Sequence, residues 1–142
     1  LAFHFHNADH SFRCPERRKI RVWLQDFAST HRKTVGEIAI VFCSDAYLLE
    51  VNKTHLQHDY YTDIITFDYC EGDSISGDLL ISIDRVKENA INHSQLFFNE
   101  LIRVIIHGHL HLIGHKDKNK SDSLAMREAE DQWIQRYHAL HP

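Results

Sequence analysis

The chain reads as a single α/β (α+β) domain, a four-stranded mixed sheet packed by about five helices, and three observations lead there. Segments that alternate apolar and polar residues are interleaved with segments of helical period, the order expected when strands and helices share one core. One strand segment, 37–44 (EIAIVFCS), is apolar almost throughout, as a strand buried in mid-sheet should be. The length of 142 residues, 43% of them hydrophobic and 25% charged, suits one ordinary core without room for a second, so residues 1–142 are taken as one domain.

Residues 2–6 (AFHFH) alternate as a short strand with Phe3 and Phe5 on one face. From Pro15, a good first helical residue, to about Thr30, the spacing of Ile20, Trp23, Leu24 and Phe27 predicts an amphipathic helix. Its other face carries Arg17, Arg18, Lys19 and Arg21, a run read as solvated. Gly36 opens the central strand, and Asp45 then caps a helix running to about Asn52. The stretch 54–63 (THLQHDYYTD) fits neither period and is expected to be an ordered loop. Segments 63–69 (DIITFDY) and 77–84 (GDLLISID), joined by turn residues Glu71-Gly72-Asp73, predict an antiparallel hairpin. Asp84 caps a short helix through Ala90.

The strongest helical segment is 95–113, where Leu96, Phe97, Leu101, Val104, Ile105 and Leu112 recur at helical spacing and Ile102 and Ile106 widen the stripe. It should be the buried helix, stopped by Gly114 in a left-handed cap. A last helix begins near Ser121, with Met126, Ala129, Trp133, Tyr137 and Leu140 along its inner side.

Composition excludes several classes. The longest apolar run, Ile38 to Cys43, is far short of the roughly 20 residues of a membrane span. The N-terminal Leu1-Ala2-Phe3-His4 has no basic segment before an apolar one, so secretion is not expected, and the missing initiator Met suggests a trimmed start. Cys14, Cys43 and Cys70 are scattered and odd in number, which argues against a disulfide framework or a thiolate zinc cage and for a reducing cytoplasm. A net charge of -4 excludes bulk electrostatic grip on nucleic acid and leaves only a local basic patch for that purpose. The anomaly is thirteen histidines, against roughly three at average usage.

They concentrate in 107–118 (HGHLHLIGHKDK). His107 and His111, four apart on a helix, project from one face, though roughly one such pair is expected by chance in so histidine-rich a chain. Gly114 and Asp117 complete the spacing HxxxHxxGxxD, which parallels the HExxHxxGxxH of zincin-like metal helices: two ligands on the helix, a glycine turn, a third ligand brought back. Three protein ligands leave one position for a water, as a catalytic site requires. The alternatives are a hydrogen-bonded histidine pair without metal, or His115 as the third ligand. His109 faces away and is read as supporting or surface, and Lys116, Lys118 and Lys120 form a rim attractive to phosphate. The general-base Glu of HExxH is replaced by Gly108, which argues against peptide hydrolysis and favours a phosphodiester attacked with help from metal-bound water.

The histidine helix, with 76–90 (SGDLLISIDRVKENA) and the TDIITFDY strand, resembles the YbeY endoribonucleases over roughly Glu37 to Trp133. The resemblance implies a single-strand-specific, zinc-dependent RNase with one Zn²⁺ per chain, cytoplasmic, acting on ribosomal RNA, chiefly the 16S 3' end. It also implies ribosome quality control and contact with the small subunit and its proteins. Two positions depart from the family: Asp117 stands for its third histidine ligand, and Leu56 for a phosphate-holding arginine, for which His55, His58 or the lysines of 116–120 are candidate replacements against the favoured reading of them as solvated loop residues. Two other functions compete: a different metal-dependent hydrolase, and a non-catalytic ribosome-assembly factor with a structural metal.

Overall fold

The chain is described by a computed structural model that covers residues 2–57 and 62–142. In order it forms β1 (Phe3–Asn7), α1 (Arg17–Thr30), β2 (Thr34–Cys43), α2 (Asp45–Leu56), β3 (Ile64–Asp68), β4 (Ser74–Ser82), α3 (Ile83–Asn92), α4 (Phe97–Leu112) and α5 (Lys120–Leu140). The sheet order is β1-β2-β4-β3, with β1, β2 and β4 parallel and β3 antiparallel at the far edge. This is the mixed four-stranded sheet and single domain the sequence predicts, with five helices among the described residues.

β2 is interior, paired with Phe3–Asn7 on one side and with β4 on the other. Its two faces differ. Ile38, Ile40 and Phe42 are fully covered by the layer of α1, α4 and α5, whereas Ala39 and Val41 on the opposite face are only partly buried. That second face is covered mainly by α2, whose Leu48 packs with Cys43 and Ile65 in a small separate cluster. β2 starts at Thr34, and Gly36 marks a bulge in its pairing with β4 rather than the strand's beginning. The hairpin closes through reciprocal Glu71–Ser74 backbone bonds, and Gly72 supplies the positive φ that its first turn position needs.

Two helix caps differ from expectation. Ser44, not Asp45, accepts the Tyr47 N–H at the start of α2, and Ser82, not Asp84, accepts the Arg85 N–H at the start of α3. In each case the extended residue one or two positions earlier holds the cap, because a cap needs non-helical backbone as well as an acceptor. Asp84 instead accepts from the Asp45 N–H, tying the two helix starts together. α2 continues to Leu56, so His55 and Leu56 are helical rather than in a loop, while the loop expected over 58–61 lies outside the described residues.

α4 is the central helix. Leu101, Ile102, Val104, Ile105, Ile106 and Leu110 are all buried, a nearly all-round apolar surface that only an interior helix tolerates. Each such aliphatic contributes about 1.5–3 kcal/mol on burial. Trp23 and Tyr137 lock α1 to α5, with the indole N–H donating to the Trp133 carbonyl at 2.9 Å and the phenol bonded to Glu16. Leu140, expected on the inner side of α5, is exposed, since the helix outruns the core at its end. Burial pushes the free thiols Cys14 and Cys43 up to about 12, leaving both unreactive near neutral pH.

Candidate metal centre

The last two turns of α4 present His107 and His111 on the side facing β3, and the chain after them is reversed by a tight cap. Gly114, at φ 104, allows the Gly114 N–H to reach the His111 carbonyl and the His115 N–H to reach Leu110, the paired bonds of a Schellman motif. The reversal returns Asp117 to the histidines. One donor atom from each of His107, His111 and Asp117 lies within 4.8 Å of the others. Ser123, in the first turns of α5, donates to the Asp117 carboxylate and fixes it there.

Both imidazoles are held by their Nδ1 atoms. That of His107 bonds the Glu130 carboxylate at 2.6 Å, and that of His111 the His115 carbonyl at 2.9 Å. Both partners are acceptors, so both Nδ1 atoms carry protons. The two Nε2 atoms then face each other at 3.0 Å with lone pairs only, an arrangement that is repulsive unless a proton or a cation lies there. Asp117 places a carboxylate oxygen 3.9 Å from His107 Nε2. A tetrahedral ion with bonds of 2.0–2.2 Å needs donors roughly 3.3–3.6 Å apart, and the two separations bracket that span. The donor set of two imidazoles and one carboxylate therefore fits a metal ion.

The electrostatics of the pair agree with this geometry. Burial pulls the His107 imidazole down, but the hydrogen bond and charge of Glu130, aided by Asp63 and Asp117, outweigh it and raise the net value. His111 is lowered, by burial first and then by His107. The pair thus attracts one positive charge and repels a second. Glu130 is itself buried and held by Arg103 at 2.9 Å, which also reaches Asp131. Arg103 lies one turn before His107 on α4, so a guanidinium–carboxylate–imidazole chain orients the first histidine.

A cleft of about 890 Å³ runs between this cluster, β3 and the end of α2. Asp63 lies in its wall, its carboxyl pushed up by burial against the pull of His107. Leu56, where the resemblance places an arginine, lines the cleft with an aliphatic side chain, while the His55 ring packs edge-on to Phe67. Of the three rim lysines only Lys118 lines it, and His58 lies outside the described residues. His115 contributes its carbonyl rather than its ring to the cluster. His109 is neither supporting nor surface: it is fully buried between Phe3 and Phe27, on the core side of α4. At Gly108 a Cβ would lie 2.3 Å from Leu79 Cδ2, so the position that holds a general-base Glu in HExxH proteases is closed by the sheet.

Sequence reading missed Glu130, Arg103 and Asp63. The i,i+4 spacing of Arg103 and His107 was the one available signal. Nothing in the sequence pairs Glu130 with a histidine 23 positions away.

Fold and cluster together define the class: a small α/β domain with a group of three donors that could hold a metal ion at the end of a buried helix. The comparisons narrow it. Residues 4–138 match the family described as Endoribonuclease YbeY, and the chain belongs to that family. An Endoribonuclease YbeY of Phocaeicola vulgatus is 54% identical over 116 residues, 82% of this chain and 84% of the relative. That of Flavobacterium psychrophilum is 45% identical over 132 residues, covering 93% and 94%. The solution structure of TM1509 from Thermotoga maritima shares the fold with a TM-score of 0.67 at 22% identity, covering 95% of this chain and 88% of that one. Among the described residues, no helix is long and apolar enough to cross a membrane.

Proposed function

We propose that this chain is a zinc-dependent endoribonuclease that cuts single-stranded RNA, acting in the cytoplasm on the 16S ribosomal RNA 3' end and in ribosome quality control, in contact with the small subunit and its proteins. Family membership supports the RNA substrate and the rRNA setting. The observation that carries the metal is the pair of Nε2 lone pairs 3.0 Å apart, facing a carboxylate. His107, His111 and Asp117 would hold one Zn²⁺, which when bound supplies Lewis-acid polarisation of a phosphoryl oxygen and acidifies water.

The chain's own residues do the rest. Glu130 fixes the His107 ring and its tautomer, and Ser123 fixes Asp117. Asp63, half-buried at the cleft wall with its pKa raised by desolvation, is the carboxyl placed to pass a proton to a leaving oxygen.

One observation favours the rival assembly-factor reading. Among the described residues the cleft is lined by Asp63, Asp68 and Asp117 against the single cation Lys118, a poor local field for phosphates. One experiment separates the readings: zinc content by elemental analysis, and cleavage of single-stranded against duplex RNA, for the wild type, His111→Ala and Asp117→Ala. About one zinc per chain with cleavage of single strands, both lost in the variants, supports the nuclease. A wild type that holds zinc, cuts no RNA and still associates with small subunits supports the assembly factor. Loss of RNA cleavage with hydrolysis of casein would point to a different hydrolase.

A further inference from the structure

The charge run at the start of α1 reads as a solvated face in the sequence, and the structure gives it a shape. Arg13, Arg17, Arg18, Lys19 and Arg21 are five of the chain's sixteen Lys and Arg, gathered within nine residues of an acidic protein. They line a groove of about 840 Å³ together with Cys14. The single acid among them, Glu16, is engaged by the Tyr137 hydroxyl and by Lys19. Among the described residues Arg13, Arg17 and Arg18 form no ion pair and are exposed, whereas Arg85, Arg103 and Arg136 are each bound to carboxylates.

Two further features point to an anion. The first turn of α1 contains no acid, and its N-cap, Glu16, makes no side-chain cap bond. Cations therefore sit at the positive end of the helix dipole beside uncapped N–H groups, an arrangement that opposes helix stability and suits a bound anion. The groove also runs into a second hollow of about 390 Å³, sharing Arg13, Cys14 and Arg17 with it. Phe5 and Phe12, both partly exposed, line that hollow over the buried Phe42. The Arg21 guanidinium lies over the Phe5 ring at 4.8 Å. A cationic track opening onto aromatic faces is the chemistry of single-strand binding: phosphates on the track, a base on the rings.

We infer that the Arg13–Arg21 groove and its adjoining aromatic hollow form a second RNA-binding surface, separate from the cleft, that grips single-stranded RNA by its phosphates. The inference rests on the endoribonuclease reading, and it supplies what the cleft lacks. The aromatic hollow adjoins β1 and the cleft adjoins β3, the two opposite edges of the sheet. On this reading a short oligonucleotide is held by the cleft alone and a long strand by both surfaces.

The test uses the 142-residue chain in three forms: wild type and the triple variant Arg13→Ala/Arg17→Ala/Arg18→Ala, both loaded with zinc, and Asp117→Ala. Binding of a labelled 30-nucleotide unstructured RNA and of a 5-nucleotide one is followed by fluorescence anisotropy across a salt series, and cleavage of both is measured. The triple variant should bind the long RNA at least tenfold more weakly, with a log Kd against log salt slope reduced by about two, the value for three phosphate contacts on a single strand. It should cut the 5-nucleotide RNA like wild type. Its thermal midpoint should equal or exceed wild type, since repulsion at the helix start is relieved, so a folding defect is read directly. Asp117→Ala should keep the long-RNA affinity while losing cleavage. Equal affinity and slope in the triple variant overturn the inference while leaving the nuclease intact. RNA bound through the groove by a wild type that cuts nothing overturns the nuclease and keeps the groove. No RNA binding, with polyglutamate bound instead and lost in the triple variant, overturns the inference in favour of an acidic protein partner.

Discussion

Gly108→Ala sets two opposed effects against each other at the point where the histidine helix meets the sheet. Replacing a helix-interior glycine by alanine stabilises by about 1 kcal/mol through backbone entropy. Here the added methyl would lie 2.3 Å from Leu79 Cδ2 and 2.9 Å from Ile64 Cδ1. Ordinary carbon contacts are about 3.5–4.0 Å, so a side chain or the helix must move by more than an ångström. Leu79 is fully buried on β4 and has no open space to enter. Overpacking of this kind costs about 1–3 kcal/mol, and the depth of the clash places it near the upper end. The net expectation is a loss of about 1–2 kcal/mol, a fall in thermal midpoint of about 3–8 °C at this chain length. Urea and thermal unfolding by circular dichroism measure it. The Leu79→Ala background sharpens the assay: there the deepest clash is gone and only the flexible end of Ile64 must give way, so the double variant should be more stable than the single costs together imply. A midpoint at or above wild type for Gly108→Ala, or strict additivity in the cycle, refutes the argument that close helix–sheet contact excludes a side chain at 108.

Two further predictions concern histidines. Glu130→Gln removes the charge that holds His107 Nδ1 and leaves Arg103 with Asp131 alone, so zinc affinity, measured by competition with a chromophoric chelator, should fall about 10–100-fold; unchanged affinity would mean Glu130 does not orient the ring. His109 is pushed down to about 4 by burial, below the ordinary value of about 6.5, so the native state binds fewer protons than the unfolded chain between those values. Its contribution is complete above about pH 6.5 and is lost as pH falls toward 4. Unfolding free energies from urea titrations between pH 7.5 and 4.5 should therefore drop about 2–3 kcal/mol further in wild type than in His109→Leu, and parallel curves would contradict the assignment.

Much of the fold was legible because it rests on local period. Ile20, Trp23, Leu24 and Phe27 repeat at helical spacing and are all buried; the apolar run of β2 marked an interior strand; Gly114 ended α4 in the left-handed region as its position implied. His107, His111 and Asp117 were likewise readable, since a helical turn and a glycine reversal are short-range geometry and these bring the three donors within 4.8 Å. The helix caps were one or two residues off, because Asp45 and Ser44 are equally good acceptors and only the backbone conformation chooses between them.

What sequence alone determined was the order of elements and the spacing of donors along one helix. The tertiary structure decided everything that depends on which surfaces meet. His109 became a core residue because the face of α4 opposite the donors packs against β1 and α1. Glu130 became the anchor of His107 because α5 lies along α4 at one particular register. Asp63 entered the cleft because β3 pairs antiparallel at the sheet edge. Periodicity is set by bonds between near neighbours, whereas these contacts are set by how whole elements pack, and no spacing within a single segment encodes that.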